Sequence, residues 1–426
     1  MAFAAALRRL DARIGITLVE RELVGGECAY WACMPSKALL RPLEAVAAAR
    51  LVPGAAEAVT GDVRLDRVFW HRDQTTDGWD DSRHAEALAK RRIELVRGEG
   101  RVAEPNLVRV YDAELPYDKL VIATGSVASV PPIEGLADTN YWTSRQATET
   151  REIPDSITVI GAGPVGCELA QFFRRAGARV VIADVADRLL PSDDPVAGEL
   201  LRAALEEEGV EMRLGVEIER VEPGFRIRLS GEPGIRTKRL LIATGRRANT
   251  QGFGFEHLGL RISQRGIEVD HRLRAAEGVW ACGDVTGIAM LTHVGKYHSR
   301  IAAADVAGKR VRADHRAIPE VTFTDPQVAS VGETSGDDLD SAEWHVDRVS
   351  RSSTYERPKR PGLLKLYARG GVIVGGLVVG PEAGEWLGQL TLAVKTRVPA
   401  DVLRDTIQPY PTFSEAIFFA SRELAG

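Results

Sequence analysis

Ile157-Thr158-Val159-Ile160-Gly161-Ala162-Gly163-Pro164-Val165-Gly166, followed by Cys167 to Ala176 and later by Asp184, is the stretch on which the fold turns. An apolar strand runs into a loop with glycines at its first, third and sixth positions, and then into a helix expected over 167–176. The glycines permit a tight turn and let backbone amides approach a pyrophosphate, while the helix N-terminus supplies partial positive charge. Asp184 closes the next apolar run about 20 residues on, where a carboxylate accepts hydrogen bonds from a ribose 2′-hydroxyl. Gly161, Gly163, Gly166 and Asp184 are therefore assigned to a dinucleotide. The carboxylate favours NAD(H) over NADP(H), although Arg188 is close enough in sequence to meet a 2′-phosphate. A glycine turn without a ligand is the alternative, and the ordered strand, loop, helix and acid weigh against it.

Outward from this stretch the chain repeats itself. Ile16-Thr17-Leu18-Val19-Glu20 matches Val180-Val181-Ile182-Ala183-Asp184, and Leu120-Val121-Ile122-Ala123-Thr124-Gly125 matches Leu240-Leu241-Ile242-Ala243-Thr244-Gly245. Two copies of a strand ending in an acid and a strand ending in Ala-Thr-Gly imply two similar nucleotide-binding domains in tandem. Trp280-Ala281-Cys282-Gly283-Asp284 is one more nucleotide-type signature. From about Pro319 the character changes to alternating strands, such as Val321-Thr322-Phe323 and Leu363 to Tyr367, with a helix over 384–395. The expected fold is α/β: two doubly wound Rossmann-like domains plus a C-terminal α+β domain. Residues 1–150 form the first nucleotide domain, 151–249 the second, 250–316 a return to the first, and 317–426 the α+β domain.

The 426 residues exceed what one core accommodates. A net charge of -5 without a basic tract argues against nucleic acid as a partner. No apolar run approaches the roughly 20 residues that cross a bilayer. Val372 to Val379 is short and interrupted by Gly375 and Gly376, and reads as a buried strand. Met1 to Leu10 has no apolar core fit for a signal peptide, so a cytoplasmic protein is expected. Four cysteines are too few for a secreted disulfide scaffold.

Two of those cysteines lie in the extra length of the first copy, in Gly25-Gly26-Glu27-Cys28-Ala29-Tyr30-Trp31-Ala32-Cys33-Met34-Pro35-Ser36-Lys37. A pair at this spacing, just ahead of a helix expected over 36–49, suits a reversible disulfide. A helix N-terminus and a nearby cation, here Lys37, both lower a thiol pKa, and the thiolate is the reactive species. A zinc site needs four ligands, and no CxxC or HxxxH partner is present. A pair of inert buried cysteines is not excluded by the spacing alone.

GGECAYWACMPSK resembles the GGxCxxxxCxPSK signature of the class I pyridine nucleotide-disulfide oxidoreductases, which include dihydrolipoamide dehydrogenase, glutathione reductase and mercuric reductase. The likeness extends over essentially the whole chain: LVIATGS at 120–126, VIGAGPVGCELA at 159–170, LLIATGRRANT at 240–250, VWACGDVTG at 279–287, LTHVGKY at 291–297, VTFTDPQVASVG at 321–332 and PYPTFSE at 409–415. It implies an enzyme that passes electrons from NAD(P)H through FAD to the Cys28–Cys33 disulfide and on to a small-molecule acceptor. Cys33 becomes the flavin-side thiol and Cys28 the interchange thiol that attacks substrate. Lys37 lies near flavin N5, paired with Glu168. Glu20 binds the FAD adenosine ribose, Gly100 passes the adenine, and Asp284 holds the ribityl or pyrophosphate region. Gly26, Ala123-Thr124-Gly125, Gly245 and the Leu291-Thr292-His293 backbone complete the cofactor contacts. For catalysis His293 is better read as a packed histidine. No metal ligand set is expected. The tail implies a homodimer in which Tyr410 and Glu415 reach the partner's active site.

The sequence departs from that pattern in two places. Counting back from Glu20 as from Asp184 runs off the start of the chain, and Ala2 to Leu10 reads as the helix that follows a GxGxxG loop. The first strand and the loop for the FAD pyrophosphate are thus missing from the sequence, which a start codon placed too late explains better than a shortened protein. At the other end, Tyr410-Pro411-Thr412-Phe413-Ser414-Glu415 has a phenol where disulfide-reducing members carry an imidazole. Tyrosine titrates near 10 and is a poorer proton shuttle at neutral pH. A tyrosine there resembles mercuric reductase, whose terminal cysteine pair is absent from Glu423-Leu424-Ala425-Gly426. Reduction of a quinone or a metal ion, or a non-catalytic remnant that cannot hold FAD, are the alternatives. Tyr30 and Trp31 exceed the usual bulk between the cysteines and read mainly as packing.

Overall fold

The computed structural model describes residues 1–355 and 362–424. The chain divides into two compact units, one of Met1–Pro35, Asp73–Ser129 and Gly245–Asp314, the other of Ser36–Arg72, Val130–Thr244 and His315–Gly426.

In the second unit, four parallel strands lie in the order Glu211–Leu214, Arg179–Asp184, Ser156–Ile160, Arg239–Ile242. Every residue of Ser156–Ile160 is buried, as expected of a parallel strand covered on both faces, whose sequence is continuously rather than alternately apolar. The helix after the glycine loop begins at Pro164, three residues earlier than the apolar spacing suggests. Proline is at home there, because the first-turn amides of a helix have no internal partner. Phe172 and Phe173 of this helix are fully buried in a cluster with Ile157, Val159, Val180, Ile182 and Leu241. Burying side chains of this size contributes roughly 1.5–3 kcal/mol each. A three-stranded antiparallel sheet, Ile218–Glu222, Arg226–Leu229 and Glu232–Arg236, follows.

The C-terminal part of this unit is a five-stranded antiparallel sheet in the order Pro319–Thr322, Gln327–Gly332, Val372–Gly380, Leu363–Arg369, Asp340–His345. Val372–Gly380 is its central strand, and its last six residues are buried. The helices Ala383–Thr396 and Glu415–Leu424 cover the sheet through Leu387, Leu390, Ala416 and Ile417.

In the first unit, Thr17–Glu20 pairs in parallel with Glu94–Arg97. Leu120–Ile122 pairs in parallel with Val279–Ala281, which carries Arg274–Ala276 antiparallel on its other side. A meander of Gly100–Glu104, Leu107–Val110 and Ala113–Pro116 stands apart from both. Ala2–Leu10 is a helix, as its sequence suggests, and buries Leu7 with Ala302, Ala303 and Val306 of the helix Thr292–Val306. Cys282 lies in the same cluster, where burial pushes its thiol up to about 12 and leaves it inert. Among the described residues no helix is long and apolar enough to cross a membrane.

Candidate active site

Cys28 lies in the short helix Glu27–Tyr30, and Cys33 opens the helix Cys33–Ala49. That helix starts three residues before the expected Ser36, again because a proline, Pro35, falls in the first turn. Neither cysteine is in a disulfide. Cys33 Sγ lies 3.3 Å from the Thr292 hydroxyl. The Cys28 thiol is raised well above its ordinary range, first by its hydrogen bond with Cys33 and then by burial, while Thr292 and the Lys296 charge pull the other way.

Around the pair the chain is pinned. Tyr30 is 1% and Trp31 8% exposed, so both are packing residues. Trp79 Nε1 donates to the Tyr30 carbonyl at 3.1 Å, and the Tyr30 hydroxyl lies 2.9 Å from His84 Nδ1. The Asp81 carboxylate receives the Val24 amide at 2.5 Å and two Arg97 nitrogens at 2.6 and 2.8 Å.

Next to Cys28, the Glu27 carboxylate pairs with Arg246. Arg246 also donates from Nε to the Ser126 hydroxyl at 2.7 Å, and that hydroxyl donates to Asp284 at 2.6 Å. This chain from Glu27 to Asp284 was not read from the sequence. Its signal was present, because Ser126 and Arg246 each follow an Ala-Thr-Gly, and Arg246–Ala248 pairs antiparallel with Ser126–Ala128. Thr124 donates to the Asn249 carbonyl at 2.6 Å, and Ala123 beside it is exposed. Gly125 (φ 71°) accepts the Asn249 amide, and the Gly245 carbonyl accepts that of Ser129. Glu20 ends its strand and accepts the Glu22 amide at 2.9 Å. Gly100 starts the meander beside Val19, and Gly26 (φ 73°) precedes the cysteine helix. Leu291 precedes the helix Thr292–Val306 without a side-chain cap. His293 is exposed rather than packed; the buried histidine of that helix is His298, which accepts the Gly283 amide at 3.2 Å. Position 293 falls on the outer face of the first turn, which sequence alone did not resolve.

In the second unit, Lys37 Nζ is 2.6 Å from Glu168 and lies 4.7 Å over the Phe323 ring. Glu168 is buried, and its other oxygen accepts the Phe323 amide at 2.9 Å. The glycine loop there is built for close approach. A Cβ at Gly161 would stand 2.3 Å from the Ala243 carbonyl oxygen, and one at Gly166 only 2.0 Å from that of Gly161. Gly163 faces open space and precedes the helix with no side-chain cap, so the first-turn amides keep their donors. Asp184 receives the Ala162 amide at 2.6 Å and the Ala186 amide at 2.8 Å. Arg188 donates to the Pro191 carbonyl at 2.8 Å. Tyr410 is 75% exposed, and Glu415 opens the last helix with Oε2 buried and without a hydrogen bond. Among the described residues no cluster of three or more potential ligands could hold a metal.

The sequence matches the family model described as pyridine nucleotide-disulphide oxidoreductase over residues 1–308, and the dimerisation domain of that family over 318–420. The chain belongs to that family. It is 32% identical to mercuric reductase of Acidithiobacillus ferrooxidans over 441 residues, covering 99% of this chain and 80% of that one. It is also 32% identical to dihydrolipoyl dehydrogenase of Thermus scotoductus over 446 residues, covering 99% and 95%. Among solved structures, LpdA of Mycobacterium tuberculosis superposes with a TM-score of 0.86 at 23% identity, covering 99% of this chain and 96% of that one. The HOCl-induced flavoprotein disulfide reductase RclA of Escherichia coli superposes with a TM-score of 0.86 at 24% identity, covering 99% and 97%. These two establish likeness of fold. The chain is thus an enzyme of the flavoprotein disulfide oxidoreductase kind, with FAD and a pyridine nucleotide as the family's cofactors and with the family's dimerisation domain.

The residues present fit both cofactors. The tight glycine loop, the uncapped helix and Asp184 suit a dinucleotide. Asp284, the open face at Gly125 and the uncapped start of the helix at Thr292 offer an acceptor, room and amide donors for a flavin.

Proposed function

We propose that this enzyme uses a reduced pyridine nucleotide, NADH in preference to NADPH, to reduce the Cys28–Cys33 disulfide, and that the dithiol then reduces an external disulfide. The contact of Cys33 with Thr292, together with the hydrogen bond between Cys28 and Cys33 that helps raise the Cys28 thiol, supports the reading. FAD, when bound, supplies the two-electron relay between nucleotide and disulfide.

In the proposed cycle Cys28, once deprotonated, attacks one sulfur of the acceptor R–S–S–R′. The Cys28–S–S–R bond forms, the S–S bond breaks, and R′S⁻ leaves and takes up a proton. Cys33 thiolate then attacks the Cys28 sulfur, closing the internal disulfide and releasing RS⁻. The Thr292 hydroxyl and the N-terminus of its helix stabilise the Cys33 thiolate between these steps. The Glu168 carboxylate holds the Lys37 ammonium, which would serve flavin chemistry when FAD is bound. Glu20, Gly26, Gly100, Ala123, Thr124, Gly125, Gly245, Asp284, Leu291 and Thr292 would line the flavin, and Gly161, Gly163, Gly166 and Asp184 would hold the pyridine nucleotide. Asp184 supports the NADH preference, since its oxygens each keep a lone pair for a ribose hydroxyl, while the Arg188 guanidinium is engaged with Pro191. Tyr410 and Glu415 of a second copy complete the site, with residues 1–150, 151–249, 250–316 and 317–426 as the functional domains.

A second reading, capture and reduction of a thiol-seeking metal ion by the dithiol, is favoured by the phenol at position 410 and by the mercuric reductase relatives. Turnover of NADH with small disulfides, quinones and Hg²⁺ separates the two. Cys28→Ser is expected to leave flavin reduction by NADH intact while disulfide turnover drops at least about 1,000-fold, as for loss of a covalent nucleophile. Turnover that survives this substitution refutes the proposal.

A further inference from the structure

We infer that Lys296 makes the Cys28–Cys33 pair selective for anionic acceptors; this specificity role rests on the redox reading above. The helix Thr292–Val306 begins at the residue whose hydroxyl touches Cys33 Sγ, 3.3 Å away. Lys296 follows four residues on, so it shares a face with Thr292 about 6 Å along the axis. Helical Cα–Cβ bonds tilt toward the N-terminus, so the lysine stem leans back over the turn that carries Thr292. Lys296 is exposed, and among the described residues it forms no ion pair. Its charge reaches Cys28, where it opposes the upward push of Cys33 and burial.

Two carboxylates on this side of the unit are already paired. The Glu27 carboxylate adjoining Cys28 is matched by Arg246, and Asp81 by Arg97. An approaching acceptor therefore meets the field of Lys296 with the Glu27 and Asp81 carboxylates already matched. The acceptors it favours are disulfides or thiol-bound metals that carry carboxylates or other negative charge near the reacting sulfur. An exposed lysine with no ion pair adds little to the fold, so its substitution reads the field rather than stability.

The test compares alkylation of Cys28 in the reduced full-length chain by iodoacetate, an anion, and by iodoacetamide, its neutral isostere, scored by peptide mass. The ratio of the two rates cancels intrinsic thiol reactivity and reports local potential. In a water-like medium a unit charge acting over roughly 7 Å alters such a ratio about three-fold. Lys296→Gln is expected to lower it about three-fold and Lys296→Glu about nine-fold, with both differences shrinking in 0.5 M salt, where screening is stronger. A ratio unmoved by either substitution, or both reagents slowing together, overturns the inference. In turnover, kcat/KM for the dianion 5,5′-dithiobis(2-nitrobenzoate) should fall relative to that for the neutral 2-hydroxyethyl disulfide. If neither disulfide is turned over, the proposed function fails while the alkylation ratio still decides the role of Lys296.

Discussion

The two copies of the nucleotide-binding pattern are built from the same landmarks and held together differently. In the second unit, the strand ending in Asp184 and the strand preceding Ala243-Thr244-Gly245 both pair with Ser156–Ile160, which transmits one continuous parallel sheet. In the first unit, among the described residues, the strand ending in Glu20 pairs with Glu94–Arg97 alone, and the strand preceding Ala123-Thr124-Gly125 with Val279–Ala281 alone. No described strand pairs with the second edge of Thr17–Glu20 or of Leu120–Ile122. What joins these halves is side-chain packing: Ile16 and Val121 meet Leu7, Trp280 and Cys282 in one cluster. The comparison sets a backbone ladder behind Asp184 against a helix-backed side-chain cluster near Glu20, the two acids proposed to meet a ribose.

The difference should appear most strongly at the loop glycines. Gly166→Val in the laddered copy forces a side chain onto the Gly161 carbonyl, and is expected to cost about 2–4 kcal/mol and abolish NADH binding. Gly125→Ala in the other copy meets open space and only a positive φ, for about 1 kcal/mol in thermal or urea unfolding. Equal costs at the two sites would break the contrast.

Amide exchange sharpens it further. Ser156–Ile160 and Arg179–Asp184 should exchange at least about 100-fold more slowly than Thr17–Glu20 and Leu120–Ile122, whose strands lack a second hydrogen-bonded neighbour. Comparable protection would mean that the packed cluster substitutes fully for the ladder.

These outcomes bear on what the sequence could convey. Asp184, Glu20 and the two Ala-Thr-Gly ends were legible because each terminates a short apolar run, a pattern local to a few residues. The Cys28–Cys33 pair and the partnership of Lys37 with Glu168 came from the family signature, and the structure brings the latter two to 2.6 Å. The Glu27–Arg246–Ser126–Asp284 chain and the His84–Tyr30 contact escaped, because their members lie tens to hundreds of residues apart and only the fold brings them together. The helix starts at Cys33 and Pro164 were displaced for a simpler reason, since proline in a first turn looks like a stop when it is a start.

The smallest effect concerns acid. The Asp81 carboxyl is held below the usual carboxylate range, first by its hydrogen bonds with Arg97 and against the upward pull of burial. Such a group stabilises fully above its unfolded value near ~3.9 and loses that contribution as pH falls through its lowered folded value. Asp81→Asn should therefore destabilise the protein by about 1–3 kcal/mol at neutral pH, the gap to wild type narrowing only below about pH 4 in urea melts. A gap that closes already at pH 6 would assign the effect to another group.

The central claim is that Cys33 bears the thiolate at the flavin and Cys28 meets the acceptor. The direct measurement is the visible absorption spectrum of the FAD-loaded chain and of its Cys28→Ser and Cys33→Ser forms during NADH titration. A long-wavelength absorption band that persists in Cys28→Ser and vanishes in Cys33→Ser is the predicted result; a band indifferent to both substitutions, or lost only in Cys28→Ser, would contradict it.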